Sequence, residues 1–261
     1  DGAVLALLGY DAEKVYTGRG PLEALGAGVD FDSGNLVLRT NFATVSGGRV
    51  VDRRAGRGLT TREARVLEQA INSKVNLSVP FVYRSTVQHR GVLVFKGRFS
   101  PNESNVDPAY EKVGHIGVAH DGGDIILLSK PLDKSAGARR AARIINEFME
   151  KSMAVLFQHP LNKKREEKGL LAANALLMRD GGIRLPTLSR KKGWIAVLSM
   201  PLEIGLAKRC GMSVVSFAYP EMKTPHVYDN LYAGLRRTIA QSKKTIRRNL
   251  STCYYIHFKE I

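Results

Sequence analysis

Two hydrophobic rhythms follow one another along the chain. From Asn35 the run LVLRTNFATV, the glycine pair after Ser46 and then RVVD read as two strands about a tight turn, a hairpin signature. Thr60 and Glu63 stand at capping-box spacing, which predicts a helix to about Lys74. FVYRSTVQ and RGVLVFKG read as a second strand pair bracketing His89 and Arg90. Residues 100–123 are polar, rich in Asn, Asp, Pro and Gly, and read as a long loop region. Ser135 caps an amphipathic helix reaching about Phe157, with Ala138, Ala141, Ile145, Phe148 and Met149 on one face. The rhythm changes after about Arg184. WIAVLSM reads as an apolar strand, PLEIGLAKRC as a helix between Pro201 and Gly211, SVVSFAY as a strand, 227–250 as a helix and CYYIHFKE as a closing strand. Apolar strands alternating with helices predict a parallel α/β sheet. The hairpin-rich first part predicts a different, α+β domain, with the boundary near 175–190.

Composition changes this picture in one respect. A chain of 261 residues, 44% hydrophobic, suffices for one large domain or two ordinary ones. No run approaches the roughly 18 apolar residues of a membrane span. The opening DGAVLALLGYD has no basic region before its apolar run and no cleavage pattern after it, so it is not read as a signal peptide. Cys210 and Cys253 lie far apart in apolar segments and read as buried, reduced thiols of a cytoplasmic protein. The net charge of +16 is the unusual number, and it points to an anionic partner, polymer or metabolite. In 227–250, Leu235, Ile239, Ile246 and Leu250 share one face, and Arg236, Arg237, Lys243, Lys244, Arg247 and Arg248 another. That stripe reads either as a phosphate-backbone contact or as the solvated face of an α/β layer. No accompanying nucleic-acid motif is present, which favours the second reading.

Candidate chemistry lies in the arginines. There is no Walker loop, GxSxG elbow or HExxH, and Gly18-Arg19-Gly20 and Gly26-Ala27-Gly28 read as turns and helix ends. His115 and His120 with Asp121 and Asp124 match no standard metal spacing. Basic groups in defined contexts are Arg19, Arg39 with Asn41, Asp52-Arg53-Arg54 with Arg57, and His89-Arg90. His159, Asn162, Arg165 and Lys168 follow in HPLNKKREEKG. A guanidinium fork matches phosphate or carboxylate bidentately. Asp52 beside the arginines reads as a group that orients one of them or binds a hydroxyl. The alternative is that these arginines are simply solvated.

ALLGYD, YTGRGPLEALGAG, LRTNFATV, VVDRRAGR, HRGVLVFKG, HPLNKKREEKGLLAANALLMRDGG and IHFKE occur in this order. Together they resemble the archaeal-type, cofactor-independent (2,3-bisphosphoglycerate-independent) phosphoglycerate mutases of the alkaline phosphatase superfamily, over nearly the whole chain. The resemblance implies a phosphatase-like α/β parallel-sheet domain, partial here, with an inserted α+β substrate domain. Residues 1–15 and 181–261 would belong to the first and 16–180 to the second. It implies interconversion of 3-phosphoglycerate and 2-phosphoglycerate through a phosphoserine, with two divalent ions (Mn, Mg, Zn or Co) and no 2,3-bisphosphoglycerate. The serine is expected just before Asp1, and metal ligands before Asp1 and after Ile261. A related phosphatase or phosphomutase, or a nucleic-acid-binding protein, is the alternative. A small-molecule substrate and no membrane are expected; the oligomeric state stays open. Two departures stand out. LPTLSRKKGW is shorter than the family's connection, and Ile204 stands where the family pattern has lysine.

Overall fold

The computed structural model describes residues 2–114, 116–119, 121, 123–219 and 227–258. The chain divides into two compact units, Asp1–Pro21 with Phe31–Arg184, and Leu22–Asp30 with Leu185–Ile261. In chain order the first unit carries the short helices α1 (Gly2–Leu7) and α2 (Ala12–Val15) and the first turn of α3 (Arg19–Ala27). Next come β1 (Leu36–Ser46), β2 (Arg49–Asp52), α4 (Thr61–Lys74), β3 (Phe81–Ser85) and β4 (Arg90–Phe95). The strands β5 (Tyr110–Val113) and β6 (Ile116–Ala119), helices α5 (Ala136–Phe157) and α6 (Pro160–Glu167), and β7 (Ala175–Gly182) complete it.

The expected local signals form this unit. Gly47 and Gly48 both sit at positive φ and close the β1–β2 hairpin, as a tight hairpin turn requires. Thr60 and Glu63 make the reciprocal capping box that starts α4, and Ser135 accepts from the Ala138 N–H to start α5. The sheet runs β2-β1-β4-β3, all antiparallel, with β7 also antiparallel along Val37–Ala43 of β1. The long central β1 is buried on both faces. Alternate residues Leu36, Leu38 and Phe42 join a core with Leu67 and Ile71 of α4 and Ile145 and Phe148 of α5. The other face carries Ala43 and Val45 against Ala175 and Leu177, and the same alternation places Arg39 and Asn41 on that face.

The 100–123 segment departs from the loop expectation. It contains the β5–β6 hairpin, turned at Gly114 with φ +60°. Each strand has four residues, too short for an alternating pattern to stand out within a polar segment.

The second unit carries β8 (Trp194–Leu198), α7 (Pro201–Arg209), β9 (Ser213–Ser216), α8 (Val227–Arg248) and β10 (Cys253–Ile256). Its strands are parallel in the order β10-β8-β9, with β9 and β10 added on opposite sides of β8 as at the switch point of doubly wound sheets. The observed architecture is thus mixed α/β, with a five-stranded antiparallel sheet, the two-stranded β5–β6 hairpin and a three-stranded parallel sheet among the described residues. Gly26 of α3, read as a turn or helix end, is a packing contact, as is Gly205 of α7. A Cβ on either would collide with the Pro201 or Leu22 carbonyl, respectively. Two expectations are corrected. The apolar stripe of α8 is not its buried face: Gly234, Thr238, Ser242 and Thr245 are buried, whereas Ile239, Ile246 and Leu250 are exposed. The buried hydroxyls make this possible by donating to backbone carbonyls four residues earlier in the helix. Cys253 is exposed, and only Cys210 is buried. No described helix is long and apolar enough to cross a membrane.

Candidate anion-binding site

The site begins with an irregularity in β7. Successive strand residues point to opposite faces, so Arg179 and Asp180 should diverge. Instead the β1–β7 register shifts between Val37 and Arg39, and Asp180 adopts φ +53°. A bulge of this kind re-aims side chains. Asp180 Oδ2 accepts from Arg179 Nη1 at 2.6 Å, an ion pair between chain neighbours, both buried. Asn105 holds the bulge by accepting from the Asp180 N–H at 2.9 Å.

Around this turn lies a cleft of about 240 Å³ lined by Gly2, Tyr16, Arg19, Tyr110, Ile116, Gly117, Arg179 and Asp180. It is smaller than the ~300–1,000 Å³ of drug-sized pockets and suits a small polar ligand. Tyr110, from β5, carries the Arg179 guanidinium 3.7 Å from its ring centroid and that of Arg53 at 5.0 Å. Asp107 is fully buried and takes a bidentate pair from Arg53, at 2.9 and 2.6 Å. Arg179 Nε lies 3.7 Å from the same carboxylate, beyond hydrogen-bond distance, and has no acceptor among the described residues.

Behind the cleft sits a second buried pair. Lys112 of β5 donates to Glu103 at 3.0 Å, to the Gly181 carbonyl at 3.3 Å and to the Pro101 carbonyl. Burial pushes the Glu103 carboxyl up to about 7, against the opposing pull of Lys112. Gly117 and Gly181 are fixed by these carboxylates. A Cβ on Gly117 would collide with Asp180, and one on Gly181 with Glu103.

Of the residues singled out from sequence, only Arg19 lines this cleft, and Arg53 reaches it through Tyr110 and Asp107. The sheet brings Arg39, Asn41 and Arg90 close by. Arg39 stands opposite Arg179 and Asn41 opposite Arg90, and Arg39 donates to Asn41 at 3.0 Å. His89 is buried in the turn before β4, where its carbonyl accepts from Phe42.

The rest of the arginine-rich stretch is built differently. Asp52 neither orients an arginine side chain nor faces the cleft. Its Oδ1 accepts from the backbone N–H of Arg54 and Gly56, at 2.7 and 2.8 Å. Ala55, Gly56 and Arg57 follow at φ +47°, +66° and +56°, so the chain coils left-handed for three residues. Successive N–H groups in such a turn form an anion-binding concavity, and Asp52 fills it from within the chain. Arg54 and Arg57 stay outside the cleft.

The residues of HPLNKKREEKG are also accounted for structurally. His159 caps α6 by accepting from the Leu161 N–H at 3.1 Å, and burial and Lys74 lower its pKa. Asn162 bonds the carbonyls of Leu156 and Ala173 and the Ala173 N–H. Arg165 is buried, donating to Glu63 at 2.8 Å and to the carbonyls of Leu171 and Gly58. Lys168 ends α6, exposed. His115 and His120 lie outside the described residues, and Asp124 pairs with Arg49 at the surface.

Sequence reasoning missed Arg179, Asp180, Asp107 and Tyr110. The available signal was MRDGG, where an Arg-Asp pair at the end of an apolar run precedes two glycines, a bulge signature.

Comparison with known proteins follows the same stretches. The family described as 2,3-bisphosphoglycerate-independent phosphoglycerate mutase matches residues 1–162. A 2,3-bisphosphoglycerate-independent phosphoglycerate mutase of Aeropyrum pernix is 43% identical over 226 residues, covering 81% of this chain and 53% of its own length. One from Archaeoglobus fulgidus is 38% identical over 250 residues, covering 92% of this chain and 57% of its own. The solved cofactor-independent phosphoglycerate mutase of Thermoplasma acidophilum matches with a TM-score of 0.57 and 29% identity, covering 96% of this chain and 62% of that one. The chain thus spans little more than half the length of these curated relatives.

Proposed function

Because this chain belongs to the family of 2,3-bisphosphoglycerate-independent phosphoglycerate mutases, we propose that its arginine cleft holds the three-carbon acid whose phosphate is moved between the 3- and 2-hydroxyls. The observation that carries this reading is that Arg19 and Arg179, far apart in sequence, line one small cleft. Arg179 presents a guanidinium to a carboxylate and is held in orientation by Tyr110 and Asp180. Arg53, locked on Asp107, backs the same ring. Arg19 takes a second anionic group, and Tyr16 and Tyr110 wall the cleft against water. Such fixed charges keep a small acid in place between two transfer steps, so the second step is effectively unimolecular. On this reading residues 16–180 form the substrate-binding domain and 1–15 with 181–261 a phosphatase-like one, with Arg39, Asn41 and Arg90 as neighbouring support.

Phosphoryl transfer itself is assigned to none of the described residues. Among them no group of three or more His, Cys, Asp or Glu side chains is placed to hold a metal ion. The described residues therefore do not supply a divalent-ion site.

Titration calorimetry with 3-phosphoglycerate tests the reading. The chain should bind it saturably, and Arg179→Ala or Arg19→Ala should weaken binding roughly tenfold to a hundredfold, the worth of a charge-assisted hydrogen bond. Unchanged affinity in both variants would sink it. A second reading rests on the exposed basic face of α8, Arg236 to Arg248. It requires steeply salt-dependent binding to random-sequence DNA or RNA.

A further inference from the structure

Asp180 is an unexpected group to find in a cleft for anions. It is 3% exposed, stands at φ +53° where non-glycine residues are strained, and lines the cleft beside the arginine it pairs with. Its Oδ2 takes Arg179 Nη1 at 2.6 Å, in the manner of a ligand carboxylate. Its Oδ1 has no hydrogen-bond partner among the described residues and is overlaid by Gly117, where no side chain would fit. The carboxylate is held there, since the Asp180 N–H is tied to Asn105. A buried oxygen without a donor is costly, and chains rarely retain one without a role.

We infer that Asp180 is a specificity-determining residue, an in-chain competitor for Arg179 whose fixed negative charge makes the cleft favour a singly charged carboxylate over a dianionic phosphate. The inference rests on the proposal that this cleft binds the substrate acid. Repulsion between Asp180 and a ligand grows with the ligand's charge, whereas the attraction of Arg179 is already shared with Asp180. A phosphoglycerate is thereby oriented with its carboxylate at Arg179 and its phosphate away from it. The bulge makes this arrangement possible, because a regular strand would send Asp180 to the opposite face.

The test titrates the chain with inorganic phosphate and, separately, with glycerate. Asp180→Asn keeps the size, loses the charge and tolerates left-handed backbone. Phosphate should bind about tenfold tighter or better than to the parent chain, with a smaller gain for glycerate, following the charge-assisted bond released. Asp180→Gly, which also relieves the positive φ, should show the same order if the asparagine variant folds poorly. Adding Arg179→Ala should abolish the gain. Unchanged phosphate affinity in both Asp180 variants overturns the inference, as does an equal gain for the two anions. If Arg179→Ala alone weakens both anions while the Asp180 variants are neutral, the cleft stands and only the inference falls. If Arg179→Ala is also without effect, both fall.

Discussion

The turn at 52–57 and the bulge at 179–182 share their ingredients. Each has arginine, aspartate and glycine, and each holds non-glycine residues at positive φ. At 52–57 the aspartate satisfies backbone N–H groups, and only Arg53 turns inward, to a carboxylate 54 residues away. At 179–182 the aspartate satisfies the arginine itself, and both line a cleft. Arginine density in sequence therefore does not locate the cleft. What locates it is the direction a bulge imposes on one guanidinium and the ring and carboxylates that fix it there.

The sharpest way to break this contrast is to attack the support of the first turn. Arg165 donates to the Gly58 carbonyl just beyond it and to Glu63. Arg165→Ala should lower stability by about 3–5 kcal/mol, because truncating this buried side chain leaves a cavity and removes its hydrogen bonds to Glu63, Gly58 and Leu171. Denaturant melts would check this, and an unaltered midpoint would mean the turn does not depend on it.

Glu103 probes the second region. Its carboxyl is raised from 4.5 to about 7, so the folded state binds more protons than the unfolded one between those values. Stability should then fall as pH rises through that window, by roughly 3 kcal/mol in total. Glu103→Gln should flatten the slope, gaining on the parent chain from pH 5 to 8. Parallel stability profiles would remove Glu103 from the account.

Arg179→Ala and Arg57→Ala compare the two regions directly. The first should weaken 3-phosphoglycerate binding by about 1.5–3 kcal/mol. The second should leave it within about twofold, the behaviour of a surface substitution. Equal losses would restore the arginine-rich turn to the site. The smallest effect belongs to Arg57→Gly. Relieving φ +56° should stabilise the chain by about 1 kcal/mol without changing affinity, as seen by thermal melts and calorimetry.

Much of the architecture was legible because it depends on neighbours in sequence. The Gly47-Gly48 hairpin, the Thr60–Glu63 capping box and the Ser135 cap are local hydrogen-bonding decisions. The β5–β6 hairpin was not legible, since four-residue strands carry too little pattern. The buried face of α8 was misread for another reason. Tight packing selected Gly234 and three small hydroxyl residues, although hydrophobicity ranked Ile239 and Ile246 higher.

The sequence by itself determined the two hairpins of the first sheet, the α4 and α5 helices, the change from hairpins to a parallel alternation, the excess of positive charge and, through its ordered motifs, the family. Tertiary structure decided which charges meet. Arg19 of α3, Tyr110 of β5 and Arg179 of β7 line one cleft beside a one-residue bulge. Arg53 joins them through a buried aspartate. Those are long-range facts, because a charge contact depends on distance and direction in space, and residues 19, 110 and 179 acquire both only when α3, the β5–β6 hairpin and β7 pack together.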